Sequence, residues 1–183
     1  ETSSKYSASE TATATFKIKK VVLGGEVTLS WDFASAAWAD ALTAIGTSDN
    51  TAVDLTVDGL RVYAGGEKMK AGTNYIQMGG KSAGQTRLFI FTAPASGTLK
   101  VWSSNTGSSE DLTRLVTAAN GADDVADTTT AQTNPGGTPS NVDPTVSTFD
   151  IDITKGNQVF IYPQVNGLRF YKIEYTYVAA APK

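Results

Sequence analysis

Residues 166–177 read NGLRFYKIEYTY, the densest run of strand-forming residues in the chain. An Asn-Gly turn signal feeds a segment in which Leu168 and Phe170 alternate with Arg169 and Tyr171. Successive side chains of a strand point to opposite faces, so this pattern predicts a strand with one apolar and one polar face. The opening is echoed at residues 58–63, DGLRVY, where Leu60 and Val62 alternate with Arg61 and Tyr63. Both copies run Asp/Asn-Gly-Leu-Arg-apolar-Tyr, a tight turn entering an amphipathic strand. Neither contains a recognisable catalytic group, so the pattern speaks first to architecture.

Working outward, residues 26–33 (EVTLSWDF) place Val27, Leu29, Trp31 and Phe33 on one face of another strand. Residues 34–45 (ASAAWADALTAI) are the one helix candidate. Ser35 stands at its cap, Ala37, Trp38, Ala41, Leu42 and Ile45 follow at helical spacing, and Gly46 stops it. Short strands separated by Gly, Asn and Asp turns are expected at 53–57, 60–63, 75–78, 87–92, 98–103 and 112–118. Residues 119–147 break the rhythm. They hold almost no bulky apolar residue and are expected to form a long polar loop or insert. Alternation resumes at 149–153, and a strand at 159–162 is expected to end at Pro163.

About seven to nine strands joined by local turns predict an all-β fold, an antiparallel two-sheet β-sandwich of jelly-roll type with one short helix. The expected division is a lead with a candidate first strand over 1–25, one sandwich domain over 26–178 carrying the 119–147 insert, and a tail over 179–183. Expected core positions include Leu29, Trp31, Phe33, Leu60, Val62, Ile76, Met78, Leu88, Ile90, Leu99, Val101, Leu115, Phe149, Ile151, Ile153, Val159, Ile161, Leu168 and Phe170.

Composition narrows the chemistry. The 183 residues include no Cys and no His, which excludes thiolate and imidazole nucleophile systems and the commonest zinc ligands. A net charge of −3 without any extended basic run argues against nucleic acid as a partner. There is no apolar run long enough for a membrane span, and the Ser/Thr/Ala-rich start reads as a mature or trimmed one without a signal-peptide pattern. High Thr usage, 25 residues, suits strands and is common in exported bacterial surface proteins.

The carboxylate pairs Glu110-Asp111 and Asp123-Asp124 lie in polar surroundings with nothing to raise a pKa, and read as solvated charges. The Gly pairs have no phosphate-loop spacing and read as turns. Aromatic placement is more informative. Sugar rings present apolar C–H faces that match flat aromatic side chains, while neighbouring polar groups take the hydroxyls. In TLKVWS (98–103), Leu99 and Val101 share one face and leave Lys100 and Trp102 on the other. In NYIQM (74–78), Tyr75 and Gln77 oppose Ile76 and Met78. The candidate ligand-binding residues are therefore Trp102, Tyr63, Tyr75 and Tyr171 as stacking platforms, with Arg61, Lys100, Arg169 and Gln77 for hydroxyls or carboxylates.

The succession of Trp31-Asp32-Phe33 and a short helix, then residues 58–82, then 87–107, a variable insert, and VFIYPQVNGLRFYKIEY (159–175) resembles the β-sandwich domains of secreted Bacteroides-type proteins. Such domains often stand beside pectate-lyase-like polysaccharide-degrading modules. The resemblance covers roughly residues 28–177 and implies an extracellular or cell-surface, non-catalytic, carbohydrate-binding role with a polysaccharide or oligosaccharide ligand. It implies no cofactor. Jelly-roll carbohydrate-binding modules often hold a structural calcium where early and late strands meet, which here directs attention to Glu26, Asp32 and Glu174. Two other readings stand beside it: a structural or assembly domain that packs against neighbouring surface proteins, and a lyase using Lys or Arg as base.

Overall fold

The computed structural model describes residues 24–79, 86–106, 113–120, 128–133, 144–165 and 167–180. Its twelve described strands are β1 (Glu26–Asp32), β2 (Asp54–Val57), β3 (Leu60–Ala64), β4 (Met69–Ala71), β5 (Ile76–Met78), β6 (Arg87–Thr92), β7 (Gly97–Asn105), β8 (Thr113–Asn120), β9 (Thr128–Thr133), β10 (Thr145–Ile151), β11 (Gln158–Val165) and β12 (Leu168–Val178). They form two antiparallel sheets. The first runs β10-β7-β12-β5-β4 with β1 also on β12, and the second runs β2-β3-β6-β11-β8-β9. From β5 to β12 the chain shuttles between the layers, apart from the β8–β9 hairpin within the second, the jelly-roll habit expected from the sequence.

The NGLRFYKIEYTY stretch becomes β12, the central strand of the first sheet. From Leu168 to Tyr177 it pairs with β7, while β5 takes Leu168–Phe170 and β1 takes Lys172–Val178 on its other edge. Leu168, Phe170, Ile173 and Tyr175 are fully buried. The inward period skips a residue because the β7 pairing shifts between Phe170 and Lys172. This bulge turns both Tyr171 and Lys172 outward, where strict alternation would have buried Lys172.

The core lies between the layers and is built around rings. Trp38, Phe33, Phe89 and Phe170 form a column with centroid spacings of 4.7, 5.5 and 5.1 Å, tying the helical segment to both sheets. Trp31, Phe91 and Tyr175 form a second column at 5.0 and 5.1 Å. These columns correct the expected orientation of β6. Phe89 and Phe91 enter the main core, whereas Leu88 joins Phe160 and Tyr162 in a separate cluster with Ile90 packed against it. RLFIFT is apolar at consecutive positions, so periodicity cannot choose its inner face. The larger aromatic side chains fill the space between the layers.

The helical segment is shorter than expected: a 3-10 turn at Ala36–Trp38, then α1 at Ala39–Ile45. Ser35 makes no side-chain cap. Instead the Asp32 carboxylate accepts from the Ala34 N–H at 2.9 Å. Trp38, Ala41, Leu42 and Ile45 point into the inter-sheet core. The β2–β3 hairpin turns on Asp58 and Gly59, both at positive φ (47° and 80°), the geometry that Asp-Gly favours. The Trp31 indole N–H donates to the Asp58 carbonyl at 2.9 Å and fixes this turn to β1.

Two further departures have local causes. β11 runs through Pro163, with an irregularity in its β8 pairing between Pro163 and Val165. Its β6 pairing has already ended at Ile161, so the missing Pro N–H breaks no ladder on that side. Within the expected 119–147 loop, Thr128–Thr133 forms β9 and extends the second sheet beside β8. The candidate first strand of the lead lies outside the described residues before residue 24, and no side chain is described at core position Leu115.

Tyr175 gives the core an alkaline limit. Its ring is fully buried and its hydroxyl donates to the Ala95 carbonyl. Burial disfavours the phenolate and pushes its pKa up to about 12. The unfolded chain loses this proton near pH ~10, so the unfolded state binds fewer protons above that point. The contribution is therefore intact below about pH 10 and is lost as pH rises towards 12, on the order of 2–3 kcal/mol. Urea melts of the wild type should show a falling midpoint across that window. Tyr175→Phe should start about 1 kcal/mol lower and fall less steeply. Equal slopes would remove Tyr175 as the cause.

Candidate functional site

The outer surface of the first sheet gathers six of the eight sequence-derived site residues. β7 contributes Lys100 and Trp102, β12 contributes Arg169 and Tyr171, and Gln77 and the preceding Tyr75 come from β5 and its lead-in. Register explains the clustering. Arg169 lies opposite Ser104 on one side and Gln77 on the other, and Gln77 lies opposite Lys70. Trp102 lies between Val146 of β10 and Lys172 of β12.

Contacts set these side chains as a layer. The Arg169 Nε donates to Gln77 Oε1 at 3.1 Å, and its guanidinium lies 5.0 Å from the Tyr75 ring centre. The Tyr75 and Tyr171 rings are 5.7 Å apart at 56°. The Tyr171 hydroxyl and Ser104 Oγ share a hydrogen bond of 3.2 Å. Lys172 Nζ lies 5.1 Å over the Trp102 ring and 2.7 Å from the Glu174 carboxylate. Tyr75 needs Gly72 beneath it, because a Cβ there would sit 2.3 Å from the ring. Tyr75, Trp102 and Tyr171 are all half-buried, so each presents part of its ring to solvent.

Arg61 and Tyr63 do not join them. Their local motif is the same, but β3 belongs to the second sheet. There Arg61 makes a bidentate pair with Asp54 at 2.8 and 2.9 Å and lies 4.8 Å over Tyr63. That hydrogen bond holds the Asp54 carboxyl below its ordinary range. A repeated hexapeptide fixes which side faces out, and only long-range pairing decides which layer it joins.

Lys70, Ser104, Val146 and Lys172 are neighbours that sequence reasoning missed. Lys70 sits on a three-residue strand too short to show a period, and Lys172 is exposed to this face by the bulge. Val146 is 48% exposed beside Trp102, an apolar extension of the platform at the sheet edge.

The residues considered for calcium do not converge. Glu26 and Asp32 stand at opposite ends of β1, about 20 Å apart at the usual strand rise. Glu174 is taken by Lys172 and accepts from Ser30 Oγ at 3.4 Å. Among the described residues no group of three or more acidic side chains is placed to hold a metal ion. The pairs Glu110-Asp111 and Asp123-Asp124 lie outside the described residues.

Neither α1 nor β9 covers the aromatic face. The buried side of α1 belongs to the inter-sheet core, and β9 extends the second sheet. A cleft of about 500 Å³ opens between α1 and the turn at Gly72. No helix among the described residues is long and apolar enough to cross a membrane.

No protein-family model matches the chain, and no curated protein matches its sequence. Among solved structures, it is similar to the xylan-binding module CBM15, with a TM-score of 0.46 and 12% identity over 86% of this chain and 100% of that one. It is also similar to a family two carbohydrate esterase from Cellvibrio japonicus, with a TM-score of 0.41 and 9% identity over 87% of this chain and 37% of that one.

Proposed function

We propose that the chain is a non-catalytic, extracellular carbohydrate-binding domain that takes a polysaccharide chain on the outer face of its first sheet. One observation carries this: Tyr75, Tyr171 and Trp102 lie on one face, each partly open, with Arg169 over Tyr75, Lys172 over Trp102 and the Tyr171 ring beside Tyr75. Such a face supplies flat apolar platforms for sugar C–H surfaces and Lys100, Arg169 and Gln77 for hydroxyls. Strands fix the platforms in space, so little ordering cost falls on binding. Affinity electrophoresis through gels containing xylan, pectin or mucin glycans tests it. Retardation in at least one gel is expected, and migration unchanged in all three by a folded protein overturns it.

A second reading, an assembly module that uses this face against a neighbouring domain, is favoured by the exposed Val146 and by the hydrogen bonds already engaging Arg169 and Tyr171. It expects no retardation in any gel.

A further inference from the structure

We propose that the outer face of the second sheet carries a second, separate glycan site, a cleft beside Arg61 that accepts a neutral sugar unit. This rests on the carbohydrate-binding reading of the first face but uses none of its residues. The cleft encloses about 420 Å³. That is at the small end of ligand pockets and gives room for about one or two sugar rings.

Register assembles its walls. Thr56 of β2 lies opposite Arg61 of β3, Arg61 opposite Ile90 of β6, and Ile90 opposite Phe160 of β11. One row thus runs across four strands from polar to apolar. Thr92 and Gln158, opposite one another on β6 and β11, add a hydroxyl and an amide at the rim. Ile90 and Phe160 supply an apolar floor suited to the C–H face of a sugar, and the rim supplies donors and acceptors for its hydroxyls.

Charge selects the class of ligand. Arg61 is the one charged side chain among the described lining residues, and both carboxylate oxygens of Asp54 pair with it. The guanidinium is thereby neutralised and oriented while keeping N–H groups to donate, which suits an uncharged polyol better than an anion. Each sheet carries on its outer face an Arg laid over a Tyr ring, Arg61 on Tyr63 at 4.8 Å and Arg169 on Tyr75 at 5.0 Å.

Isothermal titration with xylohexaose, cellohexaose and mannohexaose, using oligogalacturonate as the anionic comparison, tests the second site. The wild type should bind about two equivalents of a neutral oligosaccharide. Trp102→Ala should retain about one equivalent, and Thr92→Trp, which fills the cleft from an exposed position, should also retain about one. Gln158→Ala should weaken only the site that survives in Trp102→Ala, by several-fold. With two sites the wild type also cross-links long neutral polysaccharide into a precipitate, which neither single-site variant does. A stoichiometry of one that Trp102→Ala abolishes overturns the second site and leaves the first intact. Binding of no saccharide by any form of the folded protein overturns both.

Discussion

Phe89→Ala is expected to remove about 3–5 kcal/mol of folding free energy, read as a shift in the urea midpoint at unchanged slope. The ring is fully buried, lies 5.5 Å from Phe33 and 5.1 Å from Phe170, and so bridges the second sheet, the end of β1 and the first sheet. Its loss leaves a cavity at the midpoint of the ring column and breaks two aromatic contacts, each worth about 0.5–1.5 kcal/mol beyond burial. Domains of this kind hold only about 5–15 kcal/mol in total, so the variant should be near the edge of folding. Phe89→Leu, which keeps most of the volume, should lose less than half as much. Ile90→Thr, one residue along on the outward face, should cost about 1 kcal/mol or less. The reverse ranking of positions 89 and 90 would mean that β6 faces the other way.

The orientation of β6 also marks the limit of what the sequence discloses. Where apolar and polar residues alternate, as in LRVY, TLKVWS and LRFY, the buried face was legible, and Leu60, Val62, Leu99, Val101, Leu168 and Phe170 are all fully buried. RLFIFT has no polar face, so the inward pair depends on which side chains complete the ring columns. β9 hides for the opposite reason: TTTAQT has no apolar face at all and is held by pairing with β8. Thr propensity for strands was its only local signal. The candidate site divides along the same line. Outward projection of Arg61, Tyr63, Tyr75, Gln77, Lys100, Trp102, Arg169 and Tyr171 follows from alternation. Their distribution between two sheets follows from the β12–β5 and β3–β6 pairings, which join residues far apart in the chain. Lys172 was illegible because a bulge is a property of two strands, set by the β7 partner as much as by β12.

Trp102→Ala should lower affinity for the retained polysaccharide by at least about 30-fold at the first face, as expected for truncation of a central aromatic anchor worth about 2 kcal/mol or more. The fold should barely notice. Trp102 is half-buried on the outer surface, outside the inter-sheet core, and its described ring contact is with Lys172 at 5.1 Å. A cation–π contact at such a site is worth about 0.5–1 kcal/mol. Lys172 keeps its 2.7 Å bond to Glu174 when the indole is gone. Lys172→Met separates the indole from its cation: it should keep most stacking while weakening any hydroxyl contact, a loss of several-fold at most. Tyr75→Ala is less selective, because the same ring supports Arg169 and Tyr171, so it should lower both affinity and midpoint. The ratio of the two effects therefore discriminates between the uses of this face. A large affinity loss in Trp102→Ala at nearly unchanged stability identifies an open platform. A stability loss of several kcal/mol instead makes the indole a packing element and transfers the face to the assembly reading. Unchanged affinity in a folded Trp102→Ala would take the platform away from Trp102 and leave the Tyr75–Tyr171 pair as the contact surface.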